Sequence, residues 1–300
     1  MSYYLENPRG LYTALITPFQ TGGELDEEGL RYNIAQQKAS GVQGIVVFGT
    51  TGEAPTLTEE EKTRILQIAV EECQGSLPVI VGAGCNSTKK TIDRVNRYKA
   101  YGASAALVAT PYYNLPSQEG MFLHFSSIAK ETNFPLIIYN VPKRTGVDLI
   151  INTILRLSAL PEVIAIKECP SSYPALSDLL FHTTVPIFSG DDPWTYPCLL
   201  SGGSGAISVI SNLCPDTMLL LVEFALKKRV HAAKKAYDRL FPVMKAMGIA
   251  ANPIVIKAAM NHLSMPAGPC RLPLNPLSRE QDQFLVKQLK KLDYLWNVFV

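Results

Sequence analysis

The sequence predicts a (β/α)8 TIM barrel with additional C-terminal helices. Three observations carry that expectation: eight short apolar runs rich in Val, Ile and Ala, amphipathic stretches between them, and a combined spacing of roughly 25 to 30 residues per run and stretch. Each run is apolar almost throughout, as parallel strands covered on both faces are. A closed ring fits this pattern better than an open doubly wound sheet.

The runs fall at 11–17, 44–49, 78–82, 105–110, 135–140, 163–167, 186–190 and 205–209. Helical stretches separate them. In the stretch 58–73, Thr58 and Glu61 are spaced as a capping box, and Ile65, Ile68 and Ala69 share one face. The stretch 117–132 is a second example. The barrel is expected over residues 1–226. Residues 227–300 form a helical appendage, with helices at 232–247, 253–262 and 279–300 and a proline-rich loop at 266–276.

Composition narrows the function. The chain has 300 residues, 47% hydrophobic and 18% charged, enough to bury a large core without disulfides or metals, which excludes a disordered or fibrous protein. A net charge of +2 with Lys and Arg evenly spread gives no footprint for nucleic acid or anionic membranes. No apolar run approaches the roughly 18 residues of a bilayer span. Glu6 and Arg9 interrupt the N-terminus before any apolar core, so the expected location is cytoplasmic. The cysteines (Cys73, Cys85, Cys169, Cys198, Cys214, Cys270) stand singly, as reduced and mostly buried thiols do. His124, His182, His231 and His262 lie in or beside helical stretches, and neither metal nor cofactor is expected.

In such barrels the chemistry sits at the C-terminal strand ends. Lys167 closes the sixth run on the face expected for Val163 and Ala165. Facing inward it would be dry, with a lowered pKa and a free amine able to attack a keto group; otherwise it is a strand-end lysine reaching for water. Tyr139 closes the neighbouring run, as a proton relay for Schiff-base chemistry or as an aromatic lid on the core. Gly49-Thr50-Thr51-Gly52-Glu53 offers two hydroxyls and N–H groups that fit a carboxylate, although such residues are also ordinary in a strand-to-helix turn. Tyr112 and Tyr113 sit on a proline-bounded loop, near the site or at an interface. Arg144 could fork onto a second carboxylate or lie solvated. Ser201-Gly202-Gly203-Ser204-Gly205 suggests a phosphate cradle without an accompanying cofactor fingerprint.

Taken together, Gly49-Thr-Thr-Gly-Glu53, Thr110-Pro-Tyr-Tyr-Asn114, Tyr139-Asn-Val-Pro-Lys-Arg-Thr-Gly146, Ile166-Lys-Glu168 and Ser189-Gly-Asp-Asp192 resemble the dihydrodipicolinate synthase / N-acetylneuraminate lyase family of Schiff-base barrels over about residues 10–276. The resemblance implies condensation of pyruvate with L-aspartate 4-semialdehyde to 4-hydroxy-tetrahydrodipicolinate, in the diaminopimelate route to lysine. It implies the imine on Lys167, with Tyr139, Thr50 and Tyr113 as the proton relay. It also implies a homo-oligomer, a tetramer in which Tyr113 crosses a dimer interface. Thr51, Gly190 and the backbone of Ile207 match positions at the pyruvate site, and Arg144 matches the residue that grips the semialdehyde's carboxylate. That arginine argues against a sialate lyase, whose second substrate is an uncharged sugar aldehyde. A sugar-acid aldolase on the same lysine and a phosphorylated-ligand or catalytically silent barrel are the alternatives. The segment Glu168-Cys169-Pro170-Ser171 departs from the family's usual Glu-Ala-Thr/Ser-Gly.

Overall fold

Segments of Val, Ile and Ala become parallel strands when both faces can be covered. In the computed structural model, which describes residues 5–297, all eight expected runs do so. The order is β1 Gly10–Ala14, α1 Glu27–Ser40, β2 Gly44–Val47, α2 Glu59–Cys73, β3 Val79–Gly82, α3 Thr88–Ala100, β4 Ala105–Ala109, α4 Gln118–Thr132, β5 Leu136–Asn140, a one-turn α5 Pro142–Thr145, α6 Ile151–Ser158, β6 Val163–Glu168, α7 Tyr173–His182, β7 Ile187–Ser189, α8 Thr195–Leu200, β8 Gly205–Ser208 and α9 Pro215–Leu226. The strands pair in chain order and β8 closes on β1. Several expected runs extend past the observed strands, because the residues closing them turn into the loops of the barrel mouth. The Thr58 capping box of α2 forms as expected, with Glu61 N donating to Thr58 Oγ1 and Thr58 N donating to the Glu61 carboxylate.

Side-chain alternation divides the core into two layers. Tyr12, Val46, Ile80, Leu107, Ile137, Ala165, Phe188 and Ile207 fill the barrel interior, while Leu11, Ile45, Val81, Val108, Ile138, Ile166 and Ile187 pack against the helices. The interior holds two rings edge to face, Tyr12 and Phe188, with centroids 5.4 Å apart. Gly44 makes room for them: a Cβ there would stand 2.5 Å from the Tyr12 ring.

One expectation about β6 is corrected. Val163 does not share a face with Ala165 and Lys167. The register shifts between Leu136 and Ile137, so that Leu136 pairs with Val163 but Ile137 pairs with Ala165. The extra residue turns Val163 out to the helix layer and Ile164 toward the interior. The glycine-rich segment is also corrected. Ser201 to Ser204 precede β8 and therefore lie at the opposite end of the barrel from the strand C-termini, where Gly203 N donates to Cys198 O at 2.8 Å and the Ser201 and Tyr173 hydroxyls meet at 3.0 Å. It is a tight helix-to-strand turn, remote from the site.

Beyond α9 come α10 Val230–Ala246, α11 Ile254–His262 and α12 Arg279–Asn297; the last three residues of the expected final helix lie outside the described residues. α10 packs along α9 and α12 along α10, so these helices rest on their own barrel. α11 and the proline-rich loop also reach the barrel mouth. Lys257 is buried and donates to Glu53 Oε1 at 2.8 Å, Thr17 O at 3.0 Å and Pro269 O at 2.6 Å, with its Nζ 4.3 Å from the centre of the Phe19 ring. Glu53 Oε2 accepts from Arg271 N, and the Arg271 guanidinium reaches Gly23 O, Thr56 O and Glu61. Removing one partner of so dry a pair strands the other charge. Lys257→Met should therefore destabilise the protein by about 3–5 kcal/mol, read as a lowered guanidinium midpoint, whereas a midpoint within error of the parent would show that the pair contributes little.

Candidate active site

The side chains that close the strands converge at the barrel mouth. Tyr139 on β5 and Lys167 on β6 are register partners, and Lys167 pairs on its other side with Phe188 of β7. Lys167 Nζ stands 4.2 Å from the centre of the Tyr139 ring, and the lysine is only 5% exposed. Burial lowers its pKa below the usual lysine value. Arg144 pushes it down further, while the Asp192 and Asp191 carboxylates pull the other way. The nearby Cys169 thiol is itself pushed up to about 11 by burial and is neutral near pH 7. Among the described residues, no carboxylate lies within ion-pairing distance of Lys167. Tyr139 is raised well above the usual phenol value, chiefly by burial, so it carries its proton at neutral pH.

Two adjoining cavities open here, of about 370 and 430 Å³, both lined by Tyr139, Val141, Arg144, Ala251 and Asn252. Thr50, Glu53 and Tyr112 complete the first; Cys169, Gly190, Asp191 and Asp192 complete the second. Lys167 lies just behind this lining, against Tyr139 and Gly190. Gly190 is required by close approach: a Cβ there would come within 2.7 Å of Cys169 Sγ and 3.1 Å of Lys167 Cε. Thr51 is buried behind the lining, its Oγ1 accepting at 2.9 Å from Nδ2 of Asn252, which lines both cavities. Arg144 sits on α5, which Pro142 opens and Gly146 closes in a left-handed conformation with φ 78°.

The remaining expected residues fall outside this lining. Ile207 is buried in the interior layer on β8, beside Tyr12 of β1. Tyr113 has φ 75° and is 88% exposed, on a loop held by Asn114 Nδ2 donating to Asn86 O; it does not reach the cavities of its own chain.

Asp192 belongs to the Ser189-Gly-Asp-Asp192 motif, but its surroundings, and the arrival of Asn252 and Lys257 at the site, carry no signal in local sequence. Asp192 is buried, its Oδ2 accepts from the backbone N–H groups of Val209 and Ile210, its Oδ1 has no partner, and burial raises its pKa to about 6. Asn252 and Lys257 come from the appendage, where a helix pattern alone gives no hint of a site. On the outer side of β6, Glu168 is raised to about 8 by burial and accepts from Asn140 Nδ2, which also donates to Asp148 at 2.7 Å. That arrangement ties the ends of β5 and β6 together behind Lys167. Among the described residues, no group of three or more His, Cys, Asp or Glu is placed to hold a metal, and no helix is long and apolar enough to cross a membrane.

Comparison with known proteins agrees with this fold. The dihydrodipicolinate synthetase family model matches residues 7–292. The 4-hydroxy-tetrahydrodipicolinate synthase of Protochlamydia amoebophila is 46% identical, over 96% of this chain and 98% of that protein. The crystal structure of dihydrodipicolinate synthase from Thermotoga maritima superposes with a TM-score of 0.93 at 37% identity, covering 96% of this chain and 99% of that one. The chloride-inhibited dihydrodipicolinate synthase from Acinetobacter baumannii, solved in complex with pyruvate, superposes with a TM-score of 0.93 at 34% identity, covering 95% and 99%. With matching sequence and fold over nearly its whole length, the chain belongs to the dihydrodipicolinate synthetase family.

Proposed function

We propose that this chain condenses pyruvate with L-aspartate 4-semialdehyde to 4-hydroxy-tetrahydrodipicolinate through a Schiff base on Lys167. The observation that carries the reading is the buried amine, held against Tyr139 with its ammonium form disfavoured. Relatives across the family carry this activity in their names, and one is solved with pyruvate. The neutral amine attacks the keto carbon, and the carbinolamine loses water to give an iminium. Its positive nitrogen takes up the electron pair left when a methyl proton departs. The resulting enamine carbon attacks the aldehyde, whose oxygen becomes the hydroxyl. The semialdehyde's amine then attacks the iminium carbon, closes the ring and releases Lys167, so one water leaves per turnover.

Proton transfers fall to Tyr139, protonated at neutral pH and close to Nζ, with Thr50 on the same cavity wall. Thr51 and the close approach at Gly190 hold pyruvate beside the lysine. Ile207 enters through its backbone on β8. Arg144, lining both cavities, receives the second substrate's carboxylate and favours an acid over an uncharged sugar aldehyde. Tyr113 contributes only from a second copy, and the exposure of Tyr112, Tyr113 and Leu115 on one loop supports a homo-oligomer built across it; the tetramer is the expected form. The cysteines, all free and four of them buried, suit a reducing compartment such as the cytoplasm.

The decisive experiment is borohydride reduction with pyruvate present. The adduct should map by mass to Lys167, and Lys167→Ala should lose both the adduct and at least about 10³-fold in turnover; labelling elsewhere, or a fully active alanine variant, would end the proposal. Labelling at low pyruvate should rise with pH to a half-maximum below 10.5, the ordinary lysine value. Asp192→Asn removes a charge that favours the ammonium, so the midpoint should move to lower pH; an unmoved or higher midpoint would contradict the assigned coupling. Arg144→Ala should raise KM for the semialdehyde roughly 10- to 100-fold, the range of a lost charge-assisted hydrogen bond, while pyruvate labelling stays near the parent level. Equal loss of both would contradict its assignment to the second substrate.

A further inference from the structure

Asn252 stands two residues ahead of α11, at the seam shared by the two cavities. Its Nδ2 donates to Thr51 Oγ1 at 2.9 Å. A threonine hydroxyl has one proton and two lone pairs. With one lone pair taken by the amide, the hydroxyl's own proton is left over. Thr51 is buried, so that proton needs a partner other than bulk water, and among the described residues no protein atom accepts it.

The rest of the turn is fixed without Asn252. Thr17 Oγ1 donates to Gly52 O at 2.8 Å, Gly52 N to Gly49 O and Glu53 N to Thr50 O, and Lys257 and Arg271 hold the Glu53 carboxylate. What the amide adds is the direction of one hydroxyl, not the position of the backbone.

We infer that Asn252 is a positioning and specificity-determining residue: by donating to Thr51 Oγ1 it makes that hydroxyl a committed donor, which selects the carboxylate of a 2-keto acid over a neutral ketone at the imine site. This deepens the reading of Lys167 and Thr51 given above and rests on it. A carboxylate accepts hydrogen bonds and donates none, so a hydroxyl whose proton is turned away from the cavity would meet it with lone pairs and repel it. The amide denies the proton the Asn252 side and leaves it the remaining staggered positions, from which it can donate to a carboxylate.

The test uses the full-length protein and measures the ketone concentration that gives half-maximal borohydride labelling of Lys167, with pyruvate as the keto acid and hydroxyacetone as the neutral probe. Asn252→Ala leaves the hydroxyl free to rotate and should weaken pyruvate labelling roughly 2- to 12-fold, the range of one neutral hydrogen bond. Asn252→Asp is nearly the same size but accepts the Thr51 proton, and should cost on the order of tenfold more. Part of that loss is plain charge repulsion, which a Thr51→Val background isolates: there the difference between the aspartate and alanine variants should shrink. Hydroxyacetone labelling should change by less than about twofold across the asparagine variants, because only a donor–acceptor mismatch distinguishes the two probes. A merely structural role for Asn252 would depress labelling by both probes in parallel, and that result would overturn the inference. So would an aspartate effect that is undiminished by Thr51→Val, or an aspartate variant that binds pyruvate as well as the alanine one. Failure of the parent protein to label at Lys167 with pyruvate is a separate result, which would defeat the Schiff-base reading and this inference with it.

Discussion

Burying Lys167 strips water from an ammonium, and nothing at the site restores the charged form by direct pairing. Desolvation therefore dominates, and the side chain is driven toward the neutral amine. The comparison with Lys257 is instructive, because both lysines are buried and both lie against an aromatic face. Lys257 has a carboxylate and two backbone carbonyls around its Nζ; burial lowers its pKa too, but the contacting Glu53 carboxylate opposes that shift directly. It is held as a tie. Lys167 has the π face of Tyr139, a neutral thiol nearby and carboxylates that act on it only beyond ion-pairing range. It is left able to react. The same chain thus places two buried amines at one end of a barrel and separates their roles by the presence or absence of a contacting carboxylate.

The neighbours of Lys167 follow from the demand for dryness. Gly190 lacks a side chain because the lysine and Cys169 occupy the space one would need. Cys169 lines the second cavity beside the lysine, and its thiol lies 4.0 Å from the Tyr139 hydroxyl. Behind the strand, Asn140 joins Glu168 and Asp148, so the residue next to the amine points away from it and is satisfied on the other side. Adjacent Lys and Glu on a strand would form an ion pair if they faced the same way; alternation keeps the acid out of the site.

Much of this was legible in the amino-acid order, and the parts that were not have definite physical causes. The eight strands could be read because burial on both faces demands continuous apolar runs. Lys167, Tyr139 and Arg144 could be found because polar residues at the ends of such runs are conspicuous. The orientation of Val163 could not, since the register shift that turns it outward depends on how β5 pairs with β6. The glycine-rich segment before β8 allowed a phosphate cradle as an alternative on composition alone, although its place before the strand, not after it, already assigned it to the far end of the barrel. Asn252 and Lys257 were silent because an amphipathic helix pattern tells which face is buried, not what it is buried against. The partners of both lie some two hundred positions away, with separations of 201 and 204 residues.

Those long separations bear on how the protein is made. The turn carrying Thr50 and Thr51 follows the second strand, yet the side chains that pin it arrive with α11 and the loop through Arg271, after all eight strands. A nascent barrel therefore completes its strands before its rim. Until the segment through Arg271 has emerged, the Glu53 carboxylate lacks the two cationic residues that hold it, and the rim around Lys167 is left unfinished.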